Sequence, residues 1–217
     1  WTAWYFGQVP VGGPEGSNKY VHADIHRAYW LENDPNKIYC ATDGGIFVSY
    51  DGGETWAGRN GGYQTQQFYA NLGNSTTNPQ FCIGGMQDNS TAIFTGDGAW
   101  TRVMGGDGEC AGINPVNDQI MYGSSQYLNV YKSVNGGQNF YNITSTEMAA
   151  EEAAFNGPFE FAPSNPDIMY AGAQNLHRSD DGGENWYPVT NGLAGGDVVL
   201  TLAVHPQNPN LVLCSTA

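Results

Sequence analysis

The sequence predicts an all-β fold, a β-propeller of four-stranded antiparallel blades. Three observations carry this: a recurring Ser-x-Asp-Gly-Gly-x-x-Trp turn, a recurring Pro turn ahead of it, and an abundance of turn residues. The 217 residues include 30 Gly and 11 Pro with no Gly-X-Y period, a composition of many tight turns between short strands. With 40% hydrophobic residues the chain can fill a sizeable core.

The first turn reads SYDGGETW over residues 49–56 and returns as SDDGGENW over 179–186. A third copy, SVNGGQNF over 133–140, carries Asn for Asp and Phe for Trp, and a degenerate copy, one residue short, reads TGDGAW over 95–100. From Asp51 to Asp97, Asn135 and Asp181 the steps are 46, 38 and 46 residues, the length of a propeller blade. Asp and Asn accept hydrogen bonds from backbone N–H groups just ahead, Gly supplies positive φ, and the closing aromatic starts the next strand and packs on its neighbours. Ser49, Asp51, Trp56, Asp97, Trp100, Ser133, Asn135, Phe140, Ser179, Asp181 and Trp186 are therefore expected to hold turns. One carboxylate per turn falls short of the six to eight oxygens that calcium takes.

The second landmark, a Pro turn leading into a short apolar strand, occurs as DPNKIYC over 34–40, NPQFC over 78–82, an Asn-Pro at 114–115 running to Ile120, then NPDIMY over 165–170 and NPNLVL over 208–213. Each unit thus reads strand, Pro turn, strand, polar loop, strand, Gly-Gly turn, strand. Blades are expected near 20–60, 64–104, 108–144 and 157–190, with a partial blade over 196–217. Two readings stand: the partial blade is completed by residues 1–11, or the chain is a fragment of a longer propeller. An Ala- and Glu-rich stretch, 147–155 (EMAAEEAAF), is expected as a short helical insertion before the stop Asn156-Gly157-Pro158.

Charge limits the partners. The chain has 21 acidic and 7 basic residues, a net charge of −14, so nothing replaces the counterions of a nucleic acid and nothing draws the chain to an anionic membrane surface. No apolar stretch approaches the roughly 20 residues needed to cross a bilayer. Cys40, Cys82, Cys110 and Cys214 form no Cys-x-x-Cys pair and are expected as buried free thiols.

The polar loops after each second strand and the segments entering each first strand lie at one end of the blades, where a propeller carries its ligand. They contribute Asp43, Gln87, Asp88, Asp107, Glu109, Gln126 and Gln174 as candidate ligand-binding residues. In residues 21–27 (VHADIHR), His22, Asp24 and His26 alternate, so a strand there would project all three to one face. Two imidazoles and a carboxylate suit zinc, and the surrounding carboxylates suit calcium. A metal-free polar surface is the competing reading.

These turns resemble the Asp-box (BNR) repeats of bacterial sialidases, xyloglucan-degrading glycoside hydrolases, sortilin-type receptors and photosystem-assembly propellers. Residues 39–56 (YCATDGGIFVSYDGGETW) resemble the repeat of large secreted bacterial propellers. The resemblance implies a secreted, extracellular or cell-surface location and a non-catalytic module, part of a larger protein, that binds a glycan, a protein ligand or other parts of the same propeller. Sialidases place an arginine triad on their substrate, but Arg27, Arg59, Arg102 and Arg178 fall on different strand types. The arginine patch of the photosystem-assembly propellers has no counterpart in so acidic a chain. The xyloglucanase resemblance rests on Thr42-Asp43-Gly44-Gly45 and makes Asp43 the catalytic candidate of the alternative, a glycoside hydrolase acting on polysaccharide. The family's pattern has one more residue before the glycines, and its partner carboxylate comes from a second propeller.

Overall fold

A computed structural model describes residues 17–62, 66–96, 98, 100–193 and 195–217. Asp97, and residues 1–11 with the blade completion expected of them, lie outside the described residues. The chain divides into two compact units, Trp1–Thr65 and Gln66–Ala217.

Unit 1 carries one antiparallel sheet in the order β1 (Ile25–Leu31), β2 (Asp34–Thr42), β3 (Gly45–Ser49) and β4 (Ala57–Gly58). Period-2 alternation turns Ile38, Cys40 and Thr42 of β2 inward. Ile38 and Cys40 form a core with Val21 and Trp56, against which Phe47 packs.

Unit 2 holds three more four-stranded antiparallel sheets, each in sequence order. The second sheet is β5 (Phe68–Asn74), β6 (Cys82–Met86), β7 (Ser90–Phe94) and β8 (Trp100–Arg102). The third is β9 (Gly108–Ile113), β10 (Met121–Ser125), β11 (Asn129–Ser133) and β12 (Tyr141–Asn142). The fourth is β13 (Phe159–Ala162), β14 (Asn165–Gly172), β15 (Leu176–Ser179) and β16 (Tyr187–Pro188). A two-stranded sheet, β17 (Val199–Val204) with β18 (Val212–Thr216), follows.

Within unit 2 the sheets stack through apolar layers. Ile83 and Ile93 of the second sheet meet Ala111, Ile113 and Met121 of the third. Tyr122, Leu128 and Val130 of the third meet Phe159, Met169, Ala171 and Trp186 of the fourth. Ile168, Tyr170 and Leu176 meet Leu202 of β17. The backbones approach closely enough that a Cβ on Gly85 would lie 2.1 Å from the Glu109 carbonyl oxygen, so that contact requires glycine.

Three of the Gly-Gly turns share one construction, and the five Pro turns share another. In the first Gly-Gly turn, Ser49 Oγ donates to Asp51 Oδ1 (2.8 Å) and accepts from Gly53 N (2.8 Å), while Asp51 Oδ1 accepts from Thr55 N (2.8 Å). The same bonds recur at Ser133, Asn135, Gly137 and Asn139, and at Ser179, Asp181, Gly183 and Asn185. The Thr55 hydroxyl and amide, with Ser49, hold the Asp51 carboxyl down at about 2. Gly52 and Gly53 take φ of +72° and +100°, open to glycine without strain. At each Pro turn the leading Asp or Asn accepts from the backbone N–H two residues on, at Asp34, Asn78, Asn114, Asn165 and Asn208. The landmarks also touch: Gly52 N donates to Asn36 O, and Gly182 N to Asp167 O.

Three expectations change. Trp100 of the degenerate copy lies within β8, whereas Trp56 and Trp186 precede β4 and β16, and it is 40% exposed, its ring beside Phe68 and Phe94. The insertion is a single 3₁₀ turn, Met148–Ala150, after which Glu151 is extended; its carboxylate bonds Asn175 and His177, and those bonds draw the chain away from a helix. All four cysteines are free, but only Cys40 and Cys110 are buried. Cys214 lies on the exposed β18 and Cys82 at the start of β6.

Candidate functional site

In unit 1 the expected alternation of His22, Asp24 and His26 does not form. Asp24 takes φ +55° and β1 starts only at Ile25, so the three side chains do not share one strand face. His22 is buried, its Nδ1 bonding Ala23 O at 3.2 Å and its ring lying where a Cβ on Gly44 would be. His26 is exposed and its Nε2 bonds Asp43 Oδ1. That hydrogen bond, with the Asp43 charge, raises the His26 imidazole above its ordinary value. Asp24 and Asp43 bring carboxylate oxygens within 4.8 Å of each other. Unit 1 thus assembles His26, Asp43 and Asp24 in place of the trio read from the sequence.

In unit 2 the hairpins after the second strands place the remaining candidates. Asp88 N donates to Asp107 Oδ1 (3.0 Å), tying the β6–β7 turn to the segment entering β9. Gln87 N donates to Gln67 O, and Asn89 Nδ2 to Gln87 O. Gln126 lies over Gly106, where a Cβ would meet its Oε1 at 3.0 Å, so Gln126 and Asp107 are neighbours. Gln174 stands apart on the fourth sheet, with Nε2 donating to Gly196 O at 3.2 Å.

Glu109 is the unusual member. It shares strand parity with Ala111 and Ile113 on β9, so it projects into the layer against the second sheet. Its side chain is fully buried, and neither carboxylate oxygen has a hydrogen-bond partner among the described residues. Thr91, which shares parity with Ile93 in the same layer, likewise has a buried hydroxyl without one. Burial first, and the nearby Asp107 second, push the Glu109 carboxyl up to about 7. The Tyr69 phenol is raised by burial first and then by the charges of Asp107, Glu109 and Asp88.

The sequence reading missed three aromatics here. Tyr127 N donates to Phe155 O at 3.0 Å, and the Phe155 ring stands between those of Tyr127 and Tyr69. The available signal was the β10–β11 turn itself: Tyr127 and Leu128 occupy it, with φ of +61° at both, where Gly or Asn is the usual choice. Each such residue costs about 1 kcal/mol of backbone strain. A second missed network is Glu151, which accepts from Asn175 N (2.8 Å) and Asn175 Nδ2 (2.9 Å) and lies 3.1 Å from His177 Nε2. Burial raises the Glu151 carboxyl, but those bonds outweigh it and hold it below its ordinary value.

No protein-family model matches the chain, and no curated protein sequence does. Solved structures do. An ancestral GH74 enzyme is 18% identical, with a TM-score of 0.55 over 86% of this chain and 26% of its own. The GH74 xyloglucanase from Xanthomonas campestris is 18% identical, with a TM-score of 0.50 over 89% of this chain and 35% of its own. The Swd1 β-propeller domain from Myceliophteria thermophila is 11% identical, with a TM-score of 0.51 over 88% of this chain and 62% of its own. The chain therefore spans about a quarter to three fifths of these three structures, and at these identities the likeness concerns fold alone. Among the described residues no helix is long and apolar enough to cross a membrane. The protein is all-β, built of four-stranded antiparallel sheets, and its structural neighbours are β-propellers.

Proposed function

We propose that the chain is a secreted or cell-surface Asp-box propeller module, part of a larger protein, that binds a ligand without catalysis. The binding face on this reading is the end of unit 2 carrying Gln87, Asp88, Asp107, Glu109 and Gln126. The observation behind it is Glu109: a fully buried carboxylate without a hydrogen-bond partner among the described residues, next to Asp107, is costly to keep, and such groups cluster at functional sites. The test is a binding screen of immobilised wild-type protein against glycan and peptide arrays, repeated with Asp107→Asn. A ligand captured by the wild type and lost by the variant supports the reading. Capture unchanged by Asp107→Asn overturns it.

A second reading, a glycoside hydrolase acting on polysaccharide, is favoured by one observation in unit 1. Asp24 and Asp43 approach within 4.8 Å, near the roughly 5 to 5.5 Å of retaining carboxylate pairs. Release of reducing ends from xyloglucan, abolished by Asp43→Asn, is the expected result on that reading. No release by the wild type removes it.

A further inference from the structure

Between the second and third sheets the backbones meet along a seam lined by glycine. A Cβ on Gly73 would lie 2.6 Å from Gly112 Cα, one on Gly85 2.1 Å from Glu109 O, and one on Gly108 2.5 Å from Ser90 O. No side chain fits at these points, so the strands pack at backbone distance. Glu109 turns its carboxyl into that layer. It is 0% exposed, and both carboxyl oxygens lack a hydrogen-bond partner among the described residues. Gly85, on which the Glu109 backbone rests, pairs across its own sheet with Thr91, whose hydroxyl is also buried and unpartnered. A neutral carboxyl is tolerated in such a place; an ionised one without water costs far more.

The groups around the carboxyl do not favour its ionisation. Asp107 stands two residues ahead on the segment entering β9, and Asp88, in the β6–β7 turn, donates its N–H to Asp107 Oδ1 at 3.0 Å. Tyr69 of β5 feels the Glu109 charge. The titratable residue of β6 is Cys82, at its far end, and β7 carries none. Cys110 of β9 and Tyr122 of β10 turn toward the fourth sheet. Burial first, and Asp107 second, push the Glu109 carboxyl up to about 7.

We infer that ionisation of Glu109 parts the second and third sheets along the seam at Gly85 and Gly108, so that loss of a proton loosens the end of unit 2. The bond from Asp88 to Asp107 crosses the same seam, so the opening regulates the face proposed for the ligand. Only that regulatory role rests on the ligand-face reading.

Hydrogen exchange of the whole chain, followed by mass spectrometry from pH 5.5 to 8.5 and corrected for the intrinsic rate, tests the opening. The closed carboxyl at about 7, and an open one at its ordinary 4.5, set the expected effect. Amides of β6 and β9 exchange about thirtyfold faster at the top of the range. Their rates rise with dilute urea less steeply than global unfolding does, because the opening is local. Glu109→Gln, and Glu109→Met as its apolar counterpart, hold the exchange constant over the range. Asp107→Asn removes the charge that raises the Glu109 carboxyl and moves the onset to lower pH. Wild-type exchange that is flat with pH overturns the inference, as does a rise that persists in both Glu109 variants. A urea dependence equal to that of global unfolding also overturns it, since the sheets then part only when the chain unfolds. Ligand capture lost in Asp107→Asn keeps the ligand face standing in each of these cases.

Discussion

Replacing Glu109 with Gln tests a buried carboxyl whose oxygens have no hydrogen-bond partner among the described residues. The carboxyl is raised from its ordinary 4.5 to about 7, by burial and then by Asp107. Its folded value exceeds its unfolded one, so the folded state holds a proton that the unfolded state releases between these two values. The contribution is fully present below pH 4.5, declines across the interval, and is gone above about 7. At about 1.4 kcal/mol per tenfold the interval is worth about 3 kcal/mol. The window from pH 5 to 8 takes in about 2 kcal/mol of this, since part of the interval lies below pH 5. Urea unfolding of wild type and Glu109→Gln between pH 5 and 8 reads it out. Gln stays neutral, so any offset from its amide is constant, and the wild type loses about 2 kcal/mol relative to the variant as pH rises. Parallel stability curves over that range would refute the assignment of Glu109 as a buried, proton-holding carboxyl.

Trp186, buried between the third and fourth sheets, loses about 3 to 5 kcal/mol on replacement by Ala. The exposed Trp100 loses far less, and equal losses in thermal unfolding would contradict the difference in packing. Ser179→Ala removes the fully buried hydroxyl that donates to Asp181 and accepts from Gly183; about 1 to 3 kcal/mol follows, read by denaturant midpoint. Glu151→Gln weakens its bonds to Asn175 and His177, so the Asn175 amide exchanges hydrogen faster, with protection of the β14 amides unchanged. Gly85→Ala forces a Cβ onto the Glu109 carbonyl. It separates the second and third sheets, lowering stability by about 1 to 3 kcal/mol, and wild-type stability in that variant would contradict the close approach.

The His22, Asp24 and His26 alternation shows where reading from sequence stops. Spacing two residues apart means one face only if the backbone is extended, and Asp24 at φ +55° ends that premise. Asp43 was legible as a loop carboxylate, but its partner, His26, follows from the register in which Ile25 pairs with Thr42. The 147–155 stretch has helical composition, yet local propensity yields where Glu151 reaches Asn175 and His177 on a distant strand.

The sequence by itself determined the repeating unit. A Ser, Asp or Asn, and a Gly pair at fixed offsets satisfy one another's hydrogen bonds within five residues, and Pro turns do the same within three, so both landmarks are local and survive reading in one dimension. Tertiary structure alone decided what lies between sheets. Glu109 is buried because its strand is covered on both faces, and Tyr69, Phe155 and Tyr127 meet although they come from separate hairpins and an insertion. Burial and electrostatic coupling depend on neighbours far along the chain, and no spacing rule carries that information.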